Sequence, residues 1–202
     1  MAQTVDYYLA PQSPWTYLGH ERFVRIARDA GAGVRVLPMD LGGKVFPVSG
    51  GLPLGQRAPQ RRAYRLVELK RFSDHLRMPM NLQPKFFPVA GDDAARLIIT
   101  VDERDGADAA LQLTGAVLAA VWAQERDIAS AITLGELLRE CALSGERLEQ
   151  SRDAAAQQRY EQNTQAAIDA GVFGAPSYVV GGEIFWGQDR LDFLQRKLSS
   201  AN

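Results

Sequence analysis

A strand-like apolar run, Val5 to Ala10, breaks at Pro11-Gln12-Ser13-Pro14 and passes into apolar positions spaced for a helix, among them Tyr17, Leu18, Val24 and Ala27. Ser13 is a favoured N-cap, and Pro14 stands at the first helical position, where its fixed φ suits the helix. The pattern predicts a helix over Pro14 to Ala30 closed at Gly31, then a short strand over Val34 to Leu37. Such a βαβ unit places its two strands in parallel. Leu41 to Pro59 is rich in Gly and Pro without periodicity and reads as a long loop, of the kind that is usually functional or mobile. Helical spacing returns from about Gln60 to Leu76 and lapses through Met78 to Val89. It then runs through three or four further helices to Ala170. Ser177 to Val180, the turn Gly181-Gly182 and Glu183 to Trp186 read as a hairpin, followed by a last helix from about Asp189 to Leu198. The two ends spell β-α-β and α-β-β-α around a helical middle that carries no strand pattern.

Composition narrows the chemistry. The chain has 202 residues, enough to bury a sizeable core as one large domain or two intimate ones. Its 23 basic and 24 acidic residues leave a net charge of -1, so no electrostatic bias points to nucleic acid or an anionic membrane. No apolar run reaches the length of a bilayer span, and Asp6 sits inside the first strand where a secretory signal would need a basic start and an apolar stretch. Cys141 is the single cysteine and His20 and His75 the two histidines, which excludes an internal disulfide or a zinc site made of several thiolates and leaves no metal expected. A reducing, cytoplasmic compartment fits that usage.

The start of the first helix carries the first candidate chemistry. A side chain at Ser13 stands among free backbone N–H groups at the positive end of the helix dipole, a place that favours an anion. His20, seven residues on, lies two helical turns away and cannot serve Ser13 as a general base, so a Ser-His-Asp hydrolase is disfavoured. The second segment is Gly171-Val172-Phe173-Gly174-Ala175-Pro176, where Pro176 suits the position before a strand and base rates alone favour a trans bond. Asp189 is suited to capping or to the first turn of the last helix. Arg57, Arg61, Arg62 and Arg65, with Glu68 a turn beyond, read by helical spacing largely as a solvated face with local ion pairs. Cys141 shares an apolar helical face with Leu134, Leu137 and Leu138 and reads as packing. Trp15, Phe86, Phe87 and Trp186 stand open between core packing and the lining of an aromatic pocket.

Ser13-Pro14-Trp15-Thr16-Tyr17-Leu18, followed far downstream by Gly171-Val172-Phe173-Gly174-Ala175-Pro176 and Gly182-Glu183-Ile184-Phe185-Trp186-Gly187-Gln188-Asp189-Arg190-Leu191, resembles the 2-hydroxychromene-2-carboxylate isomerase family. That family is grouped with kappa-class glutathione transferases and DsbA-like oxidoreductases. The resemblance implies an α/β, thioredoxin-like fold with a large all-helical insertion domain: residues 1–41 and 153–202 form the thioredoxin-like part and 42–152 the insertion. It implies a cis bond before Pro176 and glutathione as cofactor, with Ser13 catalytic in place of the first cysteine of a redox C-x-x-C.

Neither Ser13 nor Thr16 can form a disulfide, so redox exchange at this motif is excluded. A serine hydroxyl can instead donate to the sulfur of bound glutathione while the helix dipole adds roughly 0.3 to 1 kcal/mol. Together they bring a thiol with a pKa of about 8.5 down toward neutrality. The resemblance further assigns Ala175, Pro176, Gln188 and Asp189 to glutathione. Arg61 and Glu68 join them through Pro59-Gln60-Arg61-Arg62-Ala63-Tyr64, Arg61 meeting a carboxylate of glutathione or of the substrate. Glu68 stands where aspartate is expected, and Ser49-Gly50-Gly51-Leu52-Pro53 lacks the expected asparagine. The implied activity is glutathione-dependent isomerisation of an aromatic hydroxy acid and its benzylidenepyruvate form by a cytoplasmic homodimer. A kappa-like transferase and a non-catalytic thioredoxin-fold binding module are the alternatives.

Overall fold

The computed structural model describes residues 3–200. Four strands form one sheet in the order β2-β1-β3-β4, with β1 at Thr4–Leu9, β2 at Gly33–Pro38, β3 at Ser177–Val180 and β4 at Glu183–Trp186. β1 and β2 are parallel, from Thr4 opposite Gly33 to Leu9 opposite Pro38, and the helix between them, α1 (Pro14–Asp29), makes the crossover. β3 runs antiparallel to β1 with Tyr7 opposite Tyr178, and β4 antiparallel to β3 with Ser177 opposite Trp186. Gly181 and Gly182 both take positive φ, as the two-residue hairpin turn requires. This is the predicted α/β fold, thioredoxin-like with a helical insertion between its two halves.

The Leu41–Pro59 stretch differs from the expected irregular loop. Leu41–Val45 forms a π-helical turn, Phe46–Ser49 a short helix α2, and Leu54–Gln56 a 3-10 turn. The Asp40 carboxylate accepts from the Gly43 N–H at 2.7 Å and buried Val45 pins the turn, a local cap with too few residues to leave a periodic trace. α3 follows at Pro59–Leu76. The remaining middle holds five helices rather than three or four: α4 (Asp92–Asp105), α5 (Ala107–Trp122), α6 (Ala131–Glu140), the short α7 (Glu146–Gln150) and α8 (Ala154–Asp169). The final helix also starts later than predicted. Gln188–Arg190 is a 3-10 turn and α9 spans Leu191–Ser199, so Asp189 caps no helix; its carboxylate turns to Arg190 instead.

One apolar cluster joins the sheet to the helical middle. Val5, Tyr7 and Leu9 of β1, Leu18 and Phe23 of α1, Leu97 and Ile98 of α4, Leu113 and Trp122 of α5, and Leu137 and Leu138 of α6 belong to it. A smaller cluster on the other face packs Tyr8 and Val179 against Ala167 of α8 and Met39. Cys141 closes α6 with its thiol buried beside Leu137 and Leu138, and burial raises its pKa above the usual thiol value.

Candidate active site

Two chain segments meet at the head of α1. Ser13 takes the extended backbone of an N-cap, and its Oγ accepts from the Thr16 N–H at 3.2 Å. The same Oγ donates across to the carbonyl of Ala175 at 3.4 Å, 162 positions away in sequence. Ser13 is 7% exposed. The Ala175–Pro176 bond is cis, as the family resemblance implied and base rates did not. The Ala175 N–H donates to no backbone carbonyl among the described residues. No acidic side chain occupies the first turn of α1, so the free N–H groups and the helix dipole act there without a competing carboxylate. Thr16 is wholly buried, and its Oγ1 has no hydrogen-bond partner among the described residues.

The segment after β4 lies alongside. The Gly187 N–H donates to the Pro176 carbonyl at 2.9 Å, tying the turn before α9 to the Pro176 segment. Gly187 has a φ of 99°, and a Cβ on it would stand 2.6 Å from an oxygen of Asp189. Gln188 is buried, with its side-chain and main-chain oxygens both accepting from Arg22. The exposed Asp189 carboxylate pairs with Arg190 at 2.6 Å. Trp186 is half exposed and leans on Phe173 with ring centroids 4.8 Å apart, its indole crossing Gly174 where any side chain would collide with it.

On the helical side, the sequence-derived residues separate into two groups. Arg61 is exposed and Glu68 half-buried, and neither enters an ion pair among the described residues. Phe86 lies under the Lys85 ammonium, 5.1 Å from the ring centroid. Trp15 meets Phe72 of α3 edge to face at 6.1 Å. Phe87, whose bond to Pro88 is cis, packs on Trp122 at 4.8 Å. Arg65 corrects the reading of the arginine cluster as a solvated face. It is 9% exposed, with its guanidinium 5.4 Å from the Phe87 centroid and 5.7 Å from that of Trp122. Spacing could have revealed it, since Arg65, Leu69, Phe72 and Leu76 recur at one-turn intervals along a single face.

A model of the DSBA-like thioredoxin domain matches residues 4–199. The 2-hydroxychromene-2-carboxylate isomerase of Pseudomonas putida is 30% identical over 199 residues, covering 95% of this chain and 92% of that protein. The isomerase of the same name from Pseudomonas sp. strain C18 is 31% identical over 209 residues, covering 98% and 91%. The chain belongs to the 2-hydroxychromene-2-carboxylate isomerase family. A solved structure of a 2-hydroxychromene-2-carboxylate isomerase matches with a TM-score of 0.80 at 26% identity, covering 98% of this chain and 95% of that one. Isomerase function follows from that membership at the level of the reaction class. For this member of the isomerase family, no described helix is long and apolar enough to cross a membrane.

Proposed function

We propose that the protein is a glutathione-dependent isomerase that interconverts 2-hydroxychromene-2-carboxylate, or a close aromatic analogue, with its open-chain benzylidenepyruvate form in aromatic-compound catabolism. The observation that carries this reading is the position of Ser13 Oγ, buried at the N-terminus of α1 and 3.4 Å from the Ala175 carbonyl. That distance is long for a hydroxyl donor, so the proton is held weakly and can turn to a better acceptor. A thiolate at this place would accept a hydrogen bond from the Ser13 hydroxyl and face the positive end of α1. The Ala175 N–H, without a partner among the described residues, supports pairing with a peptide-like ligand. Asp189 and the turn at Gln188 suit an α-amino-acid end, and Arg61 with Glu68 the far end of such a ligand. Glutathione, held there by Ser13 and the head of α1, would supply a thiolate nucleophile for reversible addition to a conjugated double bond of the substrate.

Family resemblance extends the proposal to a homodimer in the reducing cytoplasm. Ser13→Ala tests it: turnover should fall by about a hundredfold, the size of effect seen when a single preorganised donor is removed. The pKa of enzyme-bound glutathione, followed by thiolate absorbance, should rise. Unchanged turnover removes Ser13 from the chemistry, and release of a glutathione conjugate as product would make the enzyme a transferase instead.

A further inference from the structure

Arg65 holds a largely buried charge that no acidic side chain among the described residues neutralises. Among the described residues its guanidinium makes no hydrogen bond and no ion pair, though it carries five donors; the residue is 9% exposed, and its nitrogens keep an opening to solvent. Its neighbours are ring faces, Phe87 at 5.4 Å and Trp122 at 5.7 Å. The Trp122 indole N–H is also buried without an acceptor among the described residues. A second cation stands close by: Arg57 donates through Nε to the Leu52 carbonyl and lies over the Phe46 ring at 5.9 Å. Burial, with the repulsion of Arg57 added, lowers the Arg65 pKa to about 10. Burying an ion is costly unless it is paired, and cation–π contact recovers a small part of that cost. An acceptor with two parallel oxygens is what a guanidinium fork fits best.

The surroundings select the body of that ligand. Arg65 and Phe72 are seven residues apart on one face of α3, and Phe72 meets Trp15, two residues beyond Ser13. Peptide N–H and C=O groups laid against Trp15, Phe72 and Phe87 would lose water without finding partners, whereas an aromatic ring would not. We propose that Arg65 is a substrate-positioning residue that binds the carboxylate of a planar aromatic acid, with Trp15 and Phe87 against the ring. The assignment rests on the isomerase reading for the identity of that acid, and on Arg65 alone for its charge.

The test is equilibrium binding by titration calorimetry of cinnamate and cinnamamide to the intact protein and to Arg65→Met and Arg65→Lys. The intact protein should prefer the acid over the amide by about tenfold to a hundredfold, the range of a charge-assisted hydrogen bond. Arg65→Met should abolish that preference while leaving cinnamamide binding within about twofold, and Arg65→Lys, which keeps the charge without the fork, should retain part of it. Undiminished preference in Arg65→Met, or equal weakening of both ligands, overturns the proposal. If Arg65→Met does not fold, full preference in Arg65→Lys overturns the requirement for the fork. Cinnamate that fails to bind the intact protein at millimolar concentration overturns it as well. Glutathione titrated separately should bind the intact protein and Arg65→Met alike. Its loss from Arg65→Met alone would hand Arg65 to glutathione and overturn the proposal, whereas its failure to bind the intact protein counts against the glutathione reading and leaves the cinnamate result standing.

Discussion

At the scale of single residues, Thr16 and Ser13 show how one helical turn divides its polar groups. Ser13 Oγ satisfies the Thr16 N–H and reaches Ala175, while Thr16 Oγ1 is sealed in the core with no partner. A buried hydroxyl without a hydrogen bond is destabilising, so Thr16→Val should raise stability by about 1 kcal/mol in urea unfolding, with the Ser13 cap intact. A loss of stability would mean that the hydroxyl has a partner after all. Ser13 was legible in the sequence because a cap is a local device: serine, proline and the helical run following them lie within a few residues. Arg65 was legible only in part: its charge argues for solvent, while its one-turn spacing with Leu69, Phe72 and Leu76 argues for the inner face, and packing of α3 against Trp122 and Phe87 decides between them.

At the scale of elements, α1 is held by a buried chain of polar groups that crosses three of them. The Tyr7 hydroxyl on β1 bonds His20 Nδ1 at 3.1 Å, and His20 Nε2 bonds the Leu111 carbonyl of α5 at 2.9 Å. A carbonyl can only accept, so Nε2 carries the proton and Nδ1 accepts from Tyr7. Burial lowers the His20 pKa from 6.5 to about 4, against a smaller opposing effect of the Leu111 carbonyl. The unfolded chain therefore takes up a proton that the folded one refuses between these values. The His20 contribution to stability should be complete above about pH 6.5 and be lost as pH falls to 4, about 3 kcal/mol in all. Urea midpoints across that range, compared with His20→Gln, measure it; parallel pH profiles would refute the assignment. The strands, the hairpin turn and α1 were readable from periodicity and glycine. The turns within 41–59 were not, because Asp40, Gly43 and Val45 act through one carboxylate contact and one buried side chain.

Across the whole molecule, the apolar cluster ignores the boundary between the sheet-bearing ends of the chain and the helical middle. Leu113 of α5 and Val5 of β1 are both wholly buried in it. Leu113→Ala should cost about 2 to 5 kcal/mol. If the core is continuous, far-ultraviolet dichroism and tryptophan emission should lose signal in one coincident transition. Two separated transitions would divide the molecule at the insertion. Serine and threonine occupy the head of α1, and the single thiol is enclosed at the end of α6. Peroxide therefore meets no cysteine at the place where a redox C-x-x-C would stand, and the first step from thiolate to sulfenic acid is unavailable there. Burial of Cys141 slows cysteine oxidation until the fold around it opens, which ties resistance to that damage to conformational stability.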